Sequence, residues 1–381
     1  MALPVQSSVE ARGLLAPLYS NGSAELHHLR DKGYVHLKGA VSPEDVATLR
    51  EGFDEAIAAG GFSGRFADPR TIQRPEDLPA GFWGLDPVYL PFSSAAMKAR
   101  TILRAVFAAK AKVPPESLLS SFDSVMCTHP GYKTLPPFNL ERPRVPIKLK
   151  DGHPAGPGHV DQHPANASVA DAHQCFLALT PAEDKDMSTV ILAPRGAWTA
   201  QGMMDAARAE FPKAFNPKKR NGGDDGWMFP PEVQEWLVAK GIARAIKPRM
   251  APGDVLIWSS ALPHCAGAAN PPRGVKRRAR LGIIAGFYPA DMVSDAAKAK
   301  RRVIVGGHHA TGQQVHEPGQ HMDYPPSVRY TKEEARPQLY KDIGALREAI
   351  KKGKRPRMYE DAEGDTEEES ANKRLMRSLL G

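Results

Sequence analysis

The apolar positions of this chain change texture along its length, and the changes outline its organisation. In the segment GYVHLKGAVSPEDVATLREGFDEAI, Tyr34, Val35 and Leu37 form a short strand-like run. Ser42 then offers a side-chain oxygen as N-cap, Pro43 fits the first helical position, and Glu44 and Asp45 suit the positive end of a helix dipole. Val46, Leu49, Phe53 and Ile57 recur at helical spacing and predict one buried face, ended by Gly60 and Gly61. Residues 62–95, rich in Pro, Gly and Asp, read as loop. Residues 95–111 read as a second helix with Met97, Ile102, Val106 and Phe107 as its apolar side.

From Ser120 the texture shifts to short apolar runs between turn residues: SSFDSVMC, RVPIKLK, HQCFLALT, STVILAP, DVLIW and RLGIIAGFY. Such a series predicts a β-sandwich or barrel. Residues 200–247 interrupt it with two helical pieces around NPKKRNGGDDG, which reads as an insertion between strands. After Ala290 the strand pattern stops, and KAKRRVIVGG and KEEARPQLYKDIGALREAIKKG read as peripheral helices. The expected organisation is a lead-in over 1–25, a main domain over 26–290, a helical extension over 291–358 and a charged flexible tail over 359–381.

Composition narrows the class without choosing a function. Apolar residues make up 41% and charged residues 25%, as in ordinary globular domains. The sequence has no apolar run of the roughly 18 residues that a membrane helix needs, and its first residues lack a secretory pattern. Three cysteines without a CxxC pair argue against a disulfide framework, so a reducing cytoplasmic setting is expected. The net charge of +8 fits a solvated surface; with no nucleic-acid-binding motif beside it, a small-molecule partner is expected rather than a nucleic acid.

Candidate chemistry concentrates in GPGHVDQHP. On a strand, His159 and Asp161 would project from one face about 7 Å apart, at roughly 3.3 Å rise per residue. With a later histidine they would complete a 2-His-1-carboxylate facial triad, the ligand set of non-haem Fe(II) oxygenases, which leaves open coordination positions. His264 supplies that third ligand, 105 residues after His159, where the strand of APGDVLIWSSALPH opens into loop. A second H-x-D match, His321 and Asp323, has no histidine after it and reads as surface structure.

An α-keto acid chelating such an iron needs a cation for its far carboxylate, and an arginine fork binds one bidentately. Arg278 and Arg280 share one face of RRARLGIIAGFYP, and Arg280 lies deeper; Arg277 reads as an exposed edge residue. Phe176 is a candidate neighbour of the cosubstrate or a core residue, and Trp258 reads as core. Gln162, His163, Lys148 and Lys150 are candidate substrate contacts or solvated residues.

Together these stretches resemble the phytanoyl-CoA dioxygenase-like family of Fe(II)/2-oxoglutarate-dependent oxygenases. GYVHLKGAVSPEDVATL is similar to its N-terminal strand and helix, and GHVDQ to its proximal metal motif. GDVLIWSSALPH is similar to its distal-histidine strand, and RLGIIAGFYP to its closing arginine-bearing strand. The resemblance spans residues 26–290 with gaps and implies a mainly β fold with flanking helices, a double-stranded β-helix or jelly-roll barrel. It further implies that iron held by His159, Asp161 and His264 is chelated by 2-oxoglutarate, whose far carboxylate meets Arg280. O2 would bind beside it, giving succinate, CO2 and an oxidised, expectedly hydroxylated, organic substrate. Because Asp161 is present, halogenation is not expected. Two other readings stay open: a non-catalytic barrel, and a cupin-type metalloenzyme that does not use 2-oxoglutarate.

Overall fold

The computed structural model describes residues 23–59, 94–121, 125–128, 158–162, 173–183, 186, 188–215, 227–267 and 280–306. The first element is a helix the apolar pattern did not announce, α1 (Ala24–Lys32). Only Leu26 and Leu29 are buried on it, too few for a clear periodic signal, and Gly33 ends it in a left-handed conformation at φ 74°. Strand β1 (Tyr34–Leu37) and helix α2 (Pro43–Ala59) follow as expected. Ser42 Oγ accepts from the Asp45 backbone N–H at 3.1 Å, completing the predicted cap, and Val46, Leu49 and Phe53 are buried.

Helix α3 (Ser94–Ala111) buries Met97 and Phe107 as expected, but the rest of its buried face differs. Its core line runs through Ala96, Ala99, Leu103, Phe107 and Ala111, while Ile102 and Val106 are only partly covered. Alanines carry the contact because α3 lies close against α2 and the sheet: a Cβ on Gly52 of α2 would come within 3.0 Å of Ala95.

Among the described residues all strand pairs are antiparallel, and they build two sheets. The chain supplies β2 (Leu118–Ser120), β3 (Val125–Thr128), β4 (His159–Val160), β5 (His173–Ala178) and β6 (Ser188–Pro194). Helix α4 (Ala200–Glu210), strand β7 (Trp227–Met228), helix α5 (Pro231–Ala239) and strand β8 (Ala243–Ile246) come next. The last described elements are β9 (Val255–Ser259), β10 (His264–Gly267), β11 (Arg280–Pro289) and helix α6 (Asp295–Gly306). The larger sheet has the order β1-β9-β5-β11-β2 with β3 also on β11, and the smaller has the order β7-β4-β10-β6-β8.

From β3 onward the chain alternates between the sheets, except that β6, β7 and β8 follow one another in the smaller. Strands β3, β5, β9 and β11 belong to the larger, and β4, β6, β8 and β10 to the smaller. That order is a double-stranded β-helix with flanking helices, the mainly β jelly-roll class expected. The segment expected as an insertion holds the two helices, but its end, β8, is an integral strand paired with β6. Of the other sequence expectations, RVPIKLK, the loop over 62–93 and everything after residue 306 lie outside the described residues.

The larger sheet is buried on both faces. Cys175, Leu177, Val255, Ile257, Leu281 and Ile283 face α1, α2 and α3, whereas Phe176, Ala178, Leu256, Trp258 and Ile284 join the core between the sheets. Alternation with both faces apolar explains why these strands read as continuous hydrophobic runs. Asp254 locks β9 to β1: its carboxylate lies 2.8 Å from His36 Nε2 and accepts from the Gly39 and Ala251 backbone N–H groups. No described helix is long and apolar enough to cross a membrane.

Candidate metal centre

The smaller sheet brings the two predicted histidines side by side. His159 and His264 are direct partners across the β4–β10 ladder, and their ring centroids lie 4.6 Å apart. The sequence suggested that His264 lies where a strand runs into loop. Instead it opens β10, after the four-residue turn Ser260–Pro263 that carries the chain from the larger sheet to the smaller.

Asp161 also departs from expectation. Strand β4 ends at Val160, and Asp161 sits in the bend beyond it, so strand alternation does not aim its side chain. Its backbone N–H donates to the Ser260 carbonyl at 2.8 Å, and that of Gln162 donates to the same oxygen at 3.1 Å. The carboxylate nevertheless meets both imidazoles, with Oδ1 3.5 Å from His159 Nε2 and Oδ2 2.9 Å from His264 Nε2. One donor atom from each of the three residues lies within 4.8 Å of the other two.

The protonation pattern of His264 shows what this cluster suits. Its Nδ1 lies 2.8 Å from the Leu262 carbonyl oxygen, which can only accept, so Nδ1 carries the proton. Its Nε2 faces a carboxylate oxygen 2.9 Å away. Three donor atoms converge, and an imidazole–carboxylate–imidazole set fits a divalent first-row metal. Burial pushes the His159 imidazole down to about 4, against the pull of Asp161, so it is neutral and able to ligate at neutral pH. Burial would raise the Asp161 carboxyl, but His159, His264 and hydrogen bonds from His264 and Gln174 hold it well below the usual carboxylate range.

The Trp258 ring lies 5.3 Å from that of His264, so the predicted core tryptophan is also a wall of the site. Phe176 is buried, and its ring occupies the space over Gly282, where an added Cβ would come within 2.2 Å of it. Arg280 begins β11, its backbone paired with Thr128, two positions before Gly282. Gln162 is buried beside Asp161. Arg277, Arg278, Lys148, Lys150, His163, His321 and Asp323 lie outside the described residues.

Two residues at the cluster were missed by sequence reasoning. Gln174 donates through Nε2 to Asp161 Oδ2 at 2.7 Å and to Ser260 Oγ at 2.9 Å. The available signal was a polar side chain on the inward parity of an otherwise apolar strand, in step with Phe176 and Ala178. Ser260 gave no comparable signal, because its role comes from a turn meeting a distant bend.

No protein-family model matches the sequence, and no curated protein matches it. Solved structures with a similar chain path include the epimerase SnoN of nogalamycin biosynthesis in complex with Fe3+, α-ketoglutarate and nogalamycin RO. It is 16% identical, with 72% of this chain and 84% of that chain covered and a TM-score of 0.41. The non-haem α-ketoglutarate-dependent carbocyclase SnoK is 11% identical over 71% of this chain and 85% of its own, with a TM-score of 0.38. HygX from Streptomyces hygroscopicus, with nickel and 2-oxoglutarate bound, is 14% identical over 70% and 86%, with a TM-score of 0.33.

Proposed function

We propose that this chain is a non-haem Fe(II)- and 2-oxoglutarate-dependent oxygenase in which His159, Asp161 and His264 hold the iron. The observation that supports it most is the convergence of His159, Asp161 and His264, one donor atom from each lying within 4.8 Å of the other two. Three protein ligands on one side leave positions for an α-keto acid and O2. With iron and 2-oxoglutarate bound, O2 would be the oxidant: one oxygen atom would go to succinate as 2-oxoglutarate loses CO2, and the other to the organic substrate.

The protein's own contribution is placement. His159 presents a neutral imidazole, His264 a second ring oriented by its Nδ1 bond to Leu262, and Asp161 a carboxylate that stays ionised at neutral pH. Trp258, Phe176 and Ile284 line the interior with apolar surface that limits water. Arg280, at the start of β11, is the residue assigned to the far carboxylate of 2-oxoglutarate, with Arg278 second to it. Gln162 and Lys148 are assigned to the substrate, a small organic molecule whose oxidation is a hydroxylation. Within this reading the phytanoyl-CoA dioxygenase-like family is the family assignment.

Succinate formation by the purified chain is the test. It should require both Fe(II) and 2-oxoglutarate and disappear in His159→Ala. Metal binding without 2-oxoglutarate turnover would favour a cupin-type metalloenzyme of another kind, and no metal binding would leave a barrel without catalysis.

A further inference from the structure

The three proposed ligands are not held by the same means. His159 and His264 are fixed by the β4–β10 ladder, and His264 additionally by its Nδ1 bond to Leu262. Asp161 has left the strand, so nothing in the ladder orients its side chain. Its backbone hangs from the Ser260 carbonyl, and its Oδ2 accepts from Gln174 Nε2 at 2.7 Å. The second Nε2 hydrogen of Gln174 goes to Ser260 Oγ at 2.9 Å, so both amide hydrogens are used. Gln174 is only 1% exposed, and its backbone is pinned in the middle of the larger sheet opposite Trp258 and Gly286. The amide can face only one way, since turning it over would set Oε1 against the carboxylate.

We propose that Gln174 is a positioning residue which, anchored by Ser260, fixes the carboxylate plane of Asp161 so that the metal meets one oxygen and not both. The proposal rests on the metal reading above. A carboxylate free to rotate about its last side-chain bond can chelate through both oxygens and fill a coordination position that cosubstrate or O2 would need. With Oδ2 bonded to Gln174, that rotation sacrifices a short, charge-assisted hydrogen bond inside a buried site. Gln174 also ties the two sheets together at the metal: it belongs to the larger sheet, whereas the residue it holds follows a strand of the smaller.

Cobalt(II) binding to the metal-free full-length chain tests this without turnover, read by calorimetry and by the visible absorption of bound cobalt. Wild type should bind, and His159→Ala should not. Gln174→Met, similar in size but lacking the donor, should bind cobalt about 10- to 100-fold more weakly, the usual effect of losing a group that orients a ligand. Its cobalt spectrum should also shift as the carboxylate binding mode changes, while the melting temperature of the metal-free protein stays near wild type. Ser260→Ala should weaken binding by a smaller factor and Ser260→Thr, which keeps the oxygen, should restore it. Wild-type affinity and an unchanged spectrum in a folded Gln174→Met would overturn the proposal. If that variant does not fold, equal affinities in Ser260→Ala, Ser260→Thr and wild type would overturn it. Absence of cobalt binding by wild type would instead remove the metal reading, and this inference with it.

Discussion

The two sheets of the barrel divide stability and chemistry between them. The larger is built from long strands, with β5, β9 and β11 spanning 6, 5 and 10 residues, and is buried on both faces. The smaller contributes both histidines, yet its ligand-bearing strand β4 and the neighbouring β7 have only 2 residues each. Short strands make few ladder bonds, and the chain beyond β4 is a bend. The cluster therefore depends on groups from the larger sheet, Gln174 and Trp258, and on the Ser260 turn between the sheets. An apolar side chain deleted from the larger sheet should cost folding, whereas a polar one deleted at the candidate cluster should cost binding.

The sharpest way to break that division is at Gly282. A Cβ there would sit 2.2 Å from the Phe176 ring and 2.5 Å from the Leu177 carbonyl, and the carbonyl cannot move without disturbing the sheet. Gly282→Val should cost about 3 kcal/mol or more, as overpacking of a tight core does, and should yield little folded protein. A melting temperature close to wild type would show that the larger sheet is softer than its packing implies.

The complementary experiment lies in the smaller sheet. His159→Ala and Asp161→Ala should each abolish 2-oxoglutarate turnover and metal binding while leaving the cooperative melt of the metal-free protein in place. His321→Ala is expected to match wild type. Turnover retained in either ligand variant would rule out the triad.

For the proposed cosubstrate arginine a graded effect is expected. Arg280→Ala should raise the 2-oxoglutarate concentration for half-maximal turnover by roughly 10- to 150-fold, corresponding to the 1.5–3 kcal/mol typical of a hydrogen bond to a charged group. Arg278→Ala should change it much less. The reverse order would move the role to Arg278.

A further effect concerns pH. Burial holds the His159 imidazole at about 4 and the His173 imidazole at about 3, against an ordinary value of 6.5. Between these values and 6.5 the unfolded chain binds protons that the folded chain does not, so folding stability is greatest above pH 6.5 and falls as the pH drops toward 4. Each group contributes at most about 1.4 kcal/mol per pH unit in that window. Chemical denaturation of the metal-free protein at a series of pH values should show this slope. His159→Asn, which does not titrate there, should make it shallower, and an unchanged slope would mean that His159 is solvated.

Much of this was legible in the sequence, for reasons that can be named. The cap at Ser42 and the face Val46–Leu49–Phe53 depend on spacing along one helix, and the runs around Phe176, Trp258 and Ile284 announce strands buried on both faces. The pairing of His159 with Asp161, and the later His264, followed from ligand chemistry and order along the chain. Local spacing could not show that Asp161 leaves its strand, that His264 begins one, or that Ala243–Ile246 is part of the small sheet. Nor could it show that Gln174, a polar residue on an apolar strand, reaches a carboxylate attached to the other sheet. Sequence determined which residue types and periodicities were present, because propensity and side-chain chemistry are local. Tertiary structure alone decided which of them meet, because hydrogen bonds and metal ligation act over about 3 Å between segments that the chain keeps up to a hundred residues apart.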